Sequence, residues 1–304
     1  MKNRNIRQFL NNAPVVKTLH YKALFAYHRH YTRVVKRDES KKEIKLIGLR
    51  RSGNHALINW ILNQHFGLVN FCNDLLPGQP PEEALTKETR FNHKRTDVFE
   101  NPSYPEQKCL VYSYEDQPLE QVFGEEATAN RNAQVGGSAI AFEGLIVRDP
   151  FNQLASWMVW DGNAGQKFRG NAEYRKFIIE RWKSYAREAL GETQFLKRNK
   201  TVLNYNHWVT NPEYRQQLAH DLLLHFTDEG VSEGNYYGKG SSFSPGDGSG
   251  KDRQKGVLER WQKLRDNETY QSIFQDGELI AISNKLFGEI PGTTDWLQSF
   301  NFKG

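Results

Sequence analysis

The chain has 304 residues, 38% hydrophobic, 12% aromatic and 25% charged. These are the proportions of a globular protein with room for a large core, not of a disordered or fibrous one. Lys and Arg number 41 against 36 Asp and Glu, and the two cysteines, Cys72 and Cys109, exclude a disulfide framework or a cysteine-based zinc site and suit a reducing cytoplasm.

The charge is unevenly placed. Residues 1–42 hold eleven Lys/Arg against Asp38 and Glu39, so a basic extension precedes a mildly acidic body, residues 43–304. Leu19, Ala23, Tyr27 and Tyr31 recur every fourth residue, which predicts one apolar helical face with basic residues around it. Such a helix either docks on the body or makes peripheral contact with an anionic membrane surface. Lys17, His20 and Lys22 interrupt the apolar stretch at residues 15–24, so a secretory signal is not expected. No run of 18 apolar residues predicts a membrane-spanning helix. The arm has no regular aromatic stacking pattern and the body is acidic, which argues against nucleic acid as a partner. His20, His28 and His30 lack the spacing and the acidic support of a metal site, and no metal is expected.

In chain order, residues 44–49 read as a short apolar strand and residues 56–66 as a helix. Residues 67–72 form a second strand, followed by a polar stretch with several prolines to residue 107. Strands are expected at 109–114 and 140–147, then an Arg148-Asp149-Pro150 turn and a helix to about residue 160. A helix at 171–190 precedes a strand at 201–205. Pro212, with Thr210 and Asn211 as cap candidates, opens a helix to about residue 226. Residues 232–250, rich in Gly and Ser, read as loop, and helices fill 254–287. Strands separated by helices predict an α/β fold with a central, mainly parallel sheet flanked by helices in three layers.

Between the first strand and helix stands Gly48-Leu49-Arg50-Arg51-Ser52-Gly53-Asn54-His55. Backbone N–H groups at a helix start, with the positive end of its dipole, form an anion site. Arg50, Arg51 and the Ser52 hydroxyl add donors suited to phosphate oxygens. The glycines have the G-x4-G spacing of nucleoside-triphosphate loops, giving the fold a P-loop-like cast. Asn54 and His55, however, replace the Lys and Ser/Thr that a magnesium triphosphate needs. The loop therefore predicts a phosphate held without metal. Farther on, Arg148 ends a strand where α/β sheets place ligands, and Ser156 follows two helical turns later, within reach of a second phosphate.

These motifs, in this order, resemble the cofactor signatures of the sulfotransferases that use 3′-phosphoadenylyl sulfate (PAPS). Arg51-Ser52-Gly53-Asn54 is similar to the family's 5′-phosphosulfate loop, which also takes in Arg50, His55 and Ala56 here. Arg148 and Ser156 match its 3′-phosphate Arg and Ser. The segment from Thr201 to Pro212 resembles a strand ending in a Tyr that touches adenosine, here Tyr205. The loop at 238–250 with Lys251, Arg253 and Lys255 resembles the one closing over the 3′-phosphate. The resemblance covers about residues 45–261. It implies PAPS as donor, adenosine 3′,5′-bisphosphate as product and no metal.

Two departures stand out. Ala56 occupies the place of an aromatic that stacks on adenine in many members, leaving Trp60 or Trp208 to do so. Glu115 and Asp116 stand where many members carry a His base, and other branches use Glu. Glu115 or Asp116 is the candidate base, Arg51 the group stabilising the leaving phosphate, and His55 a further candidate beside the sulfuryl group. Sulfuryl transfer is an in-line displacement that rewards positioning and charge neutralisation. The expected acceptor is a small molecule, with residues 75–107 and 157–168 lining its pocket, as in soluble tailoring enzymes of secondary metabolism. The competing readings are a small-molecule kinase with an atypical phosphate loop, and a protein that binds anionic surfaces through its arm.

Overall fold

The computed structural model describes residues 42–65, 69–78, 109–135, 138–228, 231 and 256–301. The basic arm at 1–41, most of the 75–107 segment and the loop carrying Lys251 and Arg253 lie outside them.

Five strands form the sheet: β1 (Lys42–Gly48), β2 (Val69–Cys72), β3 (Cys109–Glu115), β4 (Ile140–Val147) and β5 (Lys200–Asn204). Their order across the sheet is β2-β3-β1-β4-β5, and every pairing is parallel. The fold is α/β. β3 and β4 are mostly apolar, as expected for strands covered on both faces, whereas β1 also carries Lys42, Glu43 and Lys45 and β5 carries Lys200, Thr201 and Asn204.

Ile44 and Leu46 of β1 pack on one face with Leu57, Ile58, Trp60 and Ile61 of α1 (Asn54–Asn63). Trp208 of α7 (Tyr205–Thr210) and Leu218 of α8 (Pro212–Asp221) complete that layer. Ile47 faces the other way, into a core with Trp157 of α4 (Pro150–Met158), Phe168 of α5 (Asn163–Gly170) and Trp182 of α6 (Ala172–Ala189). Leu279 and Ile282 of α10 (Gly277–Phe287) join it. Three layers result.

Between β3 and β4 lie α2 (Leu119–Val122) and α3 (Glu125–Val135). A 3₁₀ turn (Arg260–Leu264), α9 (Glu268–Ile273) and α11 (Thr293–Asn301) complete the described chain. Asp149, Asn171, Asn211 and Asp276 cap α4, α6, α8 and α10 by accepting from backbone N–H groups of the first turn. α1 starts differently: Gly53 precedes it and no side chain caps it. No helix among the described residues is long and apolar enough to cross a membrane.

Candidate active site

From β1 the chain runs to β2 and then β3 on one side of the sheet, and β4 leads on to β5 on the other, so the crevice for a ligand opens at the carboxyl ends of these strands. There a cavity of about 290 Å³ is lined by Arg50, Arg51, Gly53, Asn54, His55 and Ala56, by Glu115 and Arg148, and by Trp160, Tyr205 and Arg260. The β1–β3 register sets Gly48 opposite Glu115, which brings the phosphate loop and the candidate base together.

The loop is bent tightly over the cavity floor. Arg51 has φ 69° and Gly53 φ 96°, both left-handed. For Arg51 this costs on the order of 1–3 kcal/mol and must be enforced by neighbours. The Arg51 carbonyl accepts from Arg148 Nη1 at 3.0 Å, and Ser52 N–H donates to the Leu49 carbonyl at 3.1 Å. At Gly53 a Cβ would stand 2.2 Å from the Tyr205 ring, so only glycine lets that ring lie against the loop.

Three guanidinium groups, of Arg51, Arg148 and Arg260, converge on the cavity. Arg148 is 1% exposed. Its Nη1 lies 3.5 Å from Ser156 Oγ, its Nη2 donates to the Val257 carbonyl, and its guanidinium sits 5.1 Å over the Tyr205 ring. Its Nε is buried without a hydrogen-bond partner among the described residues. Arg260 Nη1 donates to Ser156 Oγ at 2.7 Å. Burial, then Arg148, pushes Arg260 down to about 9. Burial and the neighbouring Arg148 also lower Arg51. Clustered cations that depress one another mark a place prepared for an anion.

On the opposite edge Glu115, 7% exposed, accepts from Asn54 Nδ2 at 2.8 Å through Oε1 and pairs with Arg50 Nε at 3.2 Å through Oε2. His55 Nε2 lies 3.9 Å from Oε1.

Several sequence-predicted residues stand elsewhere than expected. The Ser52 hydroxyl is buried and donates to Asn54 Oδ1 at 2.6 Å, so it braces the loop from inside. The Asn54 side chain is committed to Glu115 and to the Leu49 carbonyl. Asp116 is turned away and held by Arg50. Asp116 is absent from the cavity lining, whereas Glu115 is part of it. Arg50 spends its guanidinium on Asp74, Glu115 and Asp116. Ser156 lies behind Arg148, 0% exposed, and donates to the Asn152 carbonyl.

Trp60 and Trp208 cannot stack on a cavity ligand: they are 0% and 2% exposed and pack edge to face in the core. Trp160 is the indole at the cavity wall, 5.5 Å from the Arg51 guanidinium, while Trp157 and Phe168 of the expected acceptor segment are fully buried. Arg260 was not foreseen. Among the described residues no group of His, Cys, Asp and Glu forms a metal site.

No protein-family model and no curated protein matches the chain. Among the solved structures that resemble it are two sulfotransferases. One is a sulfotransferase domain from the curacin biosynthetic pathway, with 14% identity, TM-score 0.47, covering 82% of this chain and 98% of that one. The other is mouse sulfotransferase SULT7A1 complexed with PAP, with 12% identity, TM-score 0.36, covering 77% and 88%. At these values the likeness adds nothing to what the site's own residues say.

Proposed function

We propose that this protein is a sulfotransferase that moves the sulfuryl group of PAPS to a hydroxyl or an amine or amide nitrogen of a small-molecule acceptor. The observation that carries this reading is the pairing of two anion-gripping stations across one cavity. Arg51 and the uncapped start of α1 form one. Arg148 and Arg260, braced by the buried Ser156, form the other, and the Arg148 hydrogen bond to the Arg51 carbonyl joins them. Two separate phosphates fit this arrangement, and the buried Arg148 Nε has a donor to give the second. A magnesium triphosphate does not fit, because Asn54 and His55 stand where Lys and a metal-binding hydroxyl are needed.

In this reading the loop N–H groups and Arg51 hold the 5′-phosphate and take up the charge that develops on its leaving oxygen. Arg148 and Arg260, with Ser156 behind them, hold the 3′-phosphate, and the Tyr205 ring flanks the nucleotide. Glu115 accepts the proton of the attacking group as the new bond to sulfur forms and the bond to the phosphate oxygen breaks. Its two fixed oxygens leave it little freedom to turn.

Thermal melts with adenosine 3′,5′-bisphosphate, AMP and magnesium ATP test the assignment. At 100 times its dissociation constant a ligand stabilises the fold by roughly 2.7 kcal/mol. A shift with the bisphosphate well beyond that with AMP is expected. A shift with magnesium ATP alone would overturn the reading in favour of a kinase.

A further inference from the structure

Arg50 looks in sequence like a second phosphate ligand beside Arg51, yet three carboxylates surround it. Nη2 lies 2.5 Å from Asp74 Oδ2, Nη1 2.8 Å from Asp116 Oδ2, and Nε 3.2 Å from Glu115 Oε2. Its backbone N–H donates to Asp116 Oδ1 at 2.7 Å, and its carbonyl accepts from Gln153 Nε2 and Trp157 Nε1, both at 3.0 Å. One residue thus ties together the ends of β1, β2 and β3 and two successive turns of α4.

The partners are themselves fixed. Asp74 and Asp116 adopt left-handed φ of 51° and 59°. Asp74 N–H donates to Ser113 Oγ at 3.0 Å and Asp116 N–H to the Gly48 carbonyl at 3.2 Å. Two strained non-glycine residues facing one guanidinium indicate a geometry that the surroundings enforce.

We propose that Arg50 is a positioning residue: it fixes one oxygen of Glu115, orients the carboxylate toward the cavity, and binds no phosphate. The inference rests on the reading of Glu115 as the base. Burial alone would lower Arg50, but Asp116, Asp74 and Glu115 outweigh it and hold it charged. Other ionisable groups facing this cluster are His55 and Arg51 from the loop and α1, and Tyr174 and Tyr185 from α6. None of them replaces the three contacts of the Arg50 fork. Lysine offers a point charge without that fork, so Arg50→Lys recovers part of the function and Arg50→Gln little of it.

The test compares wild type, Arg50→Gln and Arg50→Lys as full chains, with water as acceptor and sulfate release from PAPS as the rate. Arg50→Gln is expected to lower that rate about tenfold or more, with bisphosphate affinity held within about threefold, since the loss falls on the base and not on the nucleotide. The acid limb of its pH profile moves to higher pH, because three carboxylates then face one another without their shared cation. Crystals of Arg50→Gln are expected to show Glu115 rotated off Asn54. Should Arg50→Gln fail to fold, Arg50→Lys carries the same three readouts at smaller amplitude. Weakened bisphosphate binding with Glu115 unmoved would overturn the proposal and make Arg50 a phosphate ligand. A wild type that ignores the bisphosphate sinks the sulfotransferase reading instead, and the position of Glu115 in the variant crystals still decides the role of Arg50.

Discussion

Replacing Glu115 by Gln keeps the side chain's shape and an oxygen for Asn54, while removing the charge that accepts a proton. Sulfate release from PAPS is expected to fall about 10²-fold or more, with bisphosphate affinity nearly unchanged. Undiminished release would move the base elsewhere. Gly53 tests the loop in another way. A Cβ there meets the Tyr205 ring at 2.2 Å, and φ 96° strains any other residue. Gly53→Ala should lower the melting temperature by the equivalent of about 1–3 kcal/mol and shrink the stabilisation by bisphosphate. An unchanged melt with a full ligand shift would mean that Tyr205 yields freely. Arg51, Gly53, Arg148 and Tyr205, all singled out from the sequence, line the cavity, because each lies in or beside a junction between strand and helix and spacing reports that. It did not report side-chain direction. Arg50 and Arg51 are adjacent and alike on paper, and both line the cavity, yet the Arg50 guanidinium is paired with Asp74, Glu115 and Asp116 while that of Arg51 lies beside Trp160. Arg260 gave no signal, since its partner Ser156 lies far off in sequence.

The five strands were legible as elements because each holds a short apolar stretch, such as Leu46-Ile47 in β1 and Val202-Leu203 in β5, bounded by polar or turn residues. The missed helices show where that signal fails. α3 reads EEATANRNAQV, with no apolar stripe to set a period. α7 begins at Tyr205, immediately after the strand, where Asn204 accepts from the N–H groups of Asn206 and His207 and turns strand into helix without a linker. α8 opens at Pro212 as expected but ends at Asp221, short of the predicted boundary. The join between α6 and β5 depends on Glu188, 0% exposed, which accepts from Thr193 Oγ1, Phe195 N–H, Leu196 N–H and Lys200 Nζ. Burial alone would raise this carboxyl, and these four donors, Lys200 foremost, overcome that and lower it below its ordinary 4.5. A carboxyl held lower in the folded state than in the unfolded one stabilises the fold above the ordinary value and loses that contribution as pH falls through the lowered one. Urea unfolding should therefore find Glu188→Gln weaker than wild type by about 1.5–3 kcal/mol at pH 7. The gap should narrow steadily below pH 4.5. A gap equal at all pH values would mean that shape alone matters here.

At the scale of the whole molecule, the α/β class and the parallel sheet followed from the alternation of strand and helix patterns. The spatial order of the strands did not, since periodicity along a chain carries no information about which strand lies beside which. That order places β1, the first described strand, in the middle of the sheet. Its neighbours arrive late: Lys42 pairs with Cys109 on one side and with Ile140 on the other. At a synthesis rate of about 5–20 residues per second, β1 emerges from the ribosome on the order of five to twenty seconds before β4 can join it. Until β3 emerges both hydrogen-bonding edges of β1 are unmatched, and until β4 emerges the second edge stays open and Ile44, Leu46 and Ile47 lack part of the cover that buries them in the finished protein. Chaperone occupancy of nascent chains should accordingly be greatest between the release of β1 and that of β4.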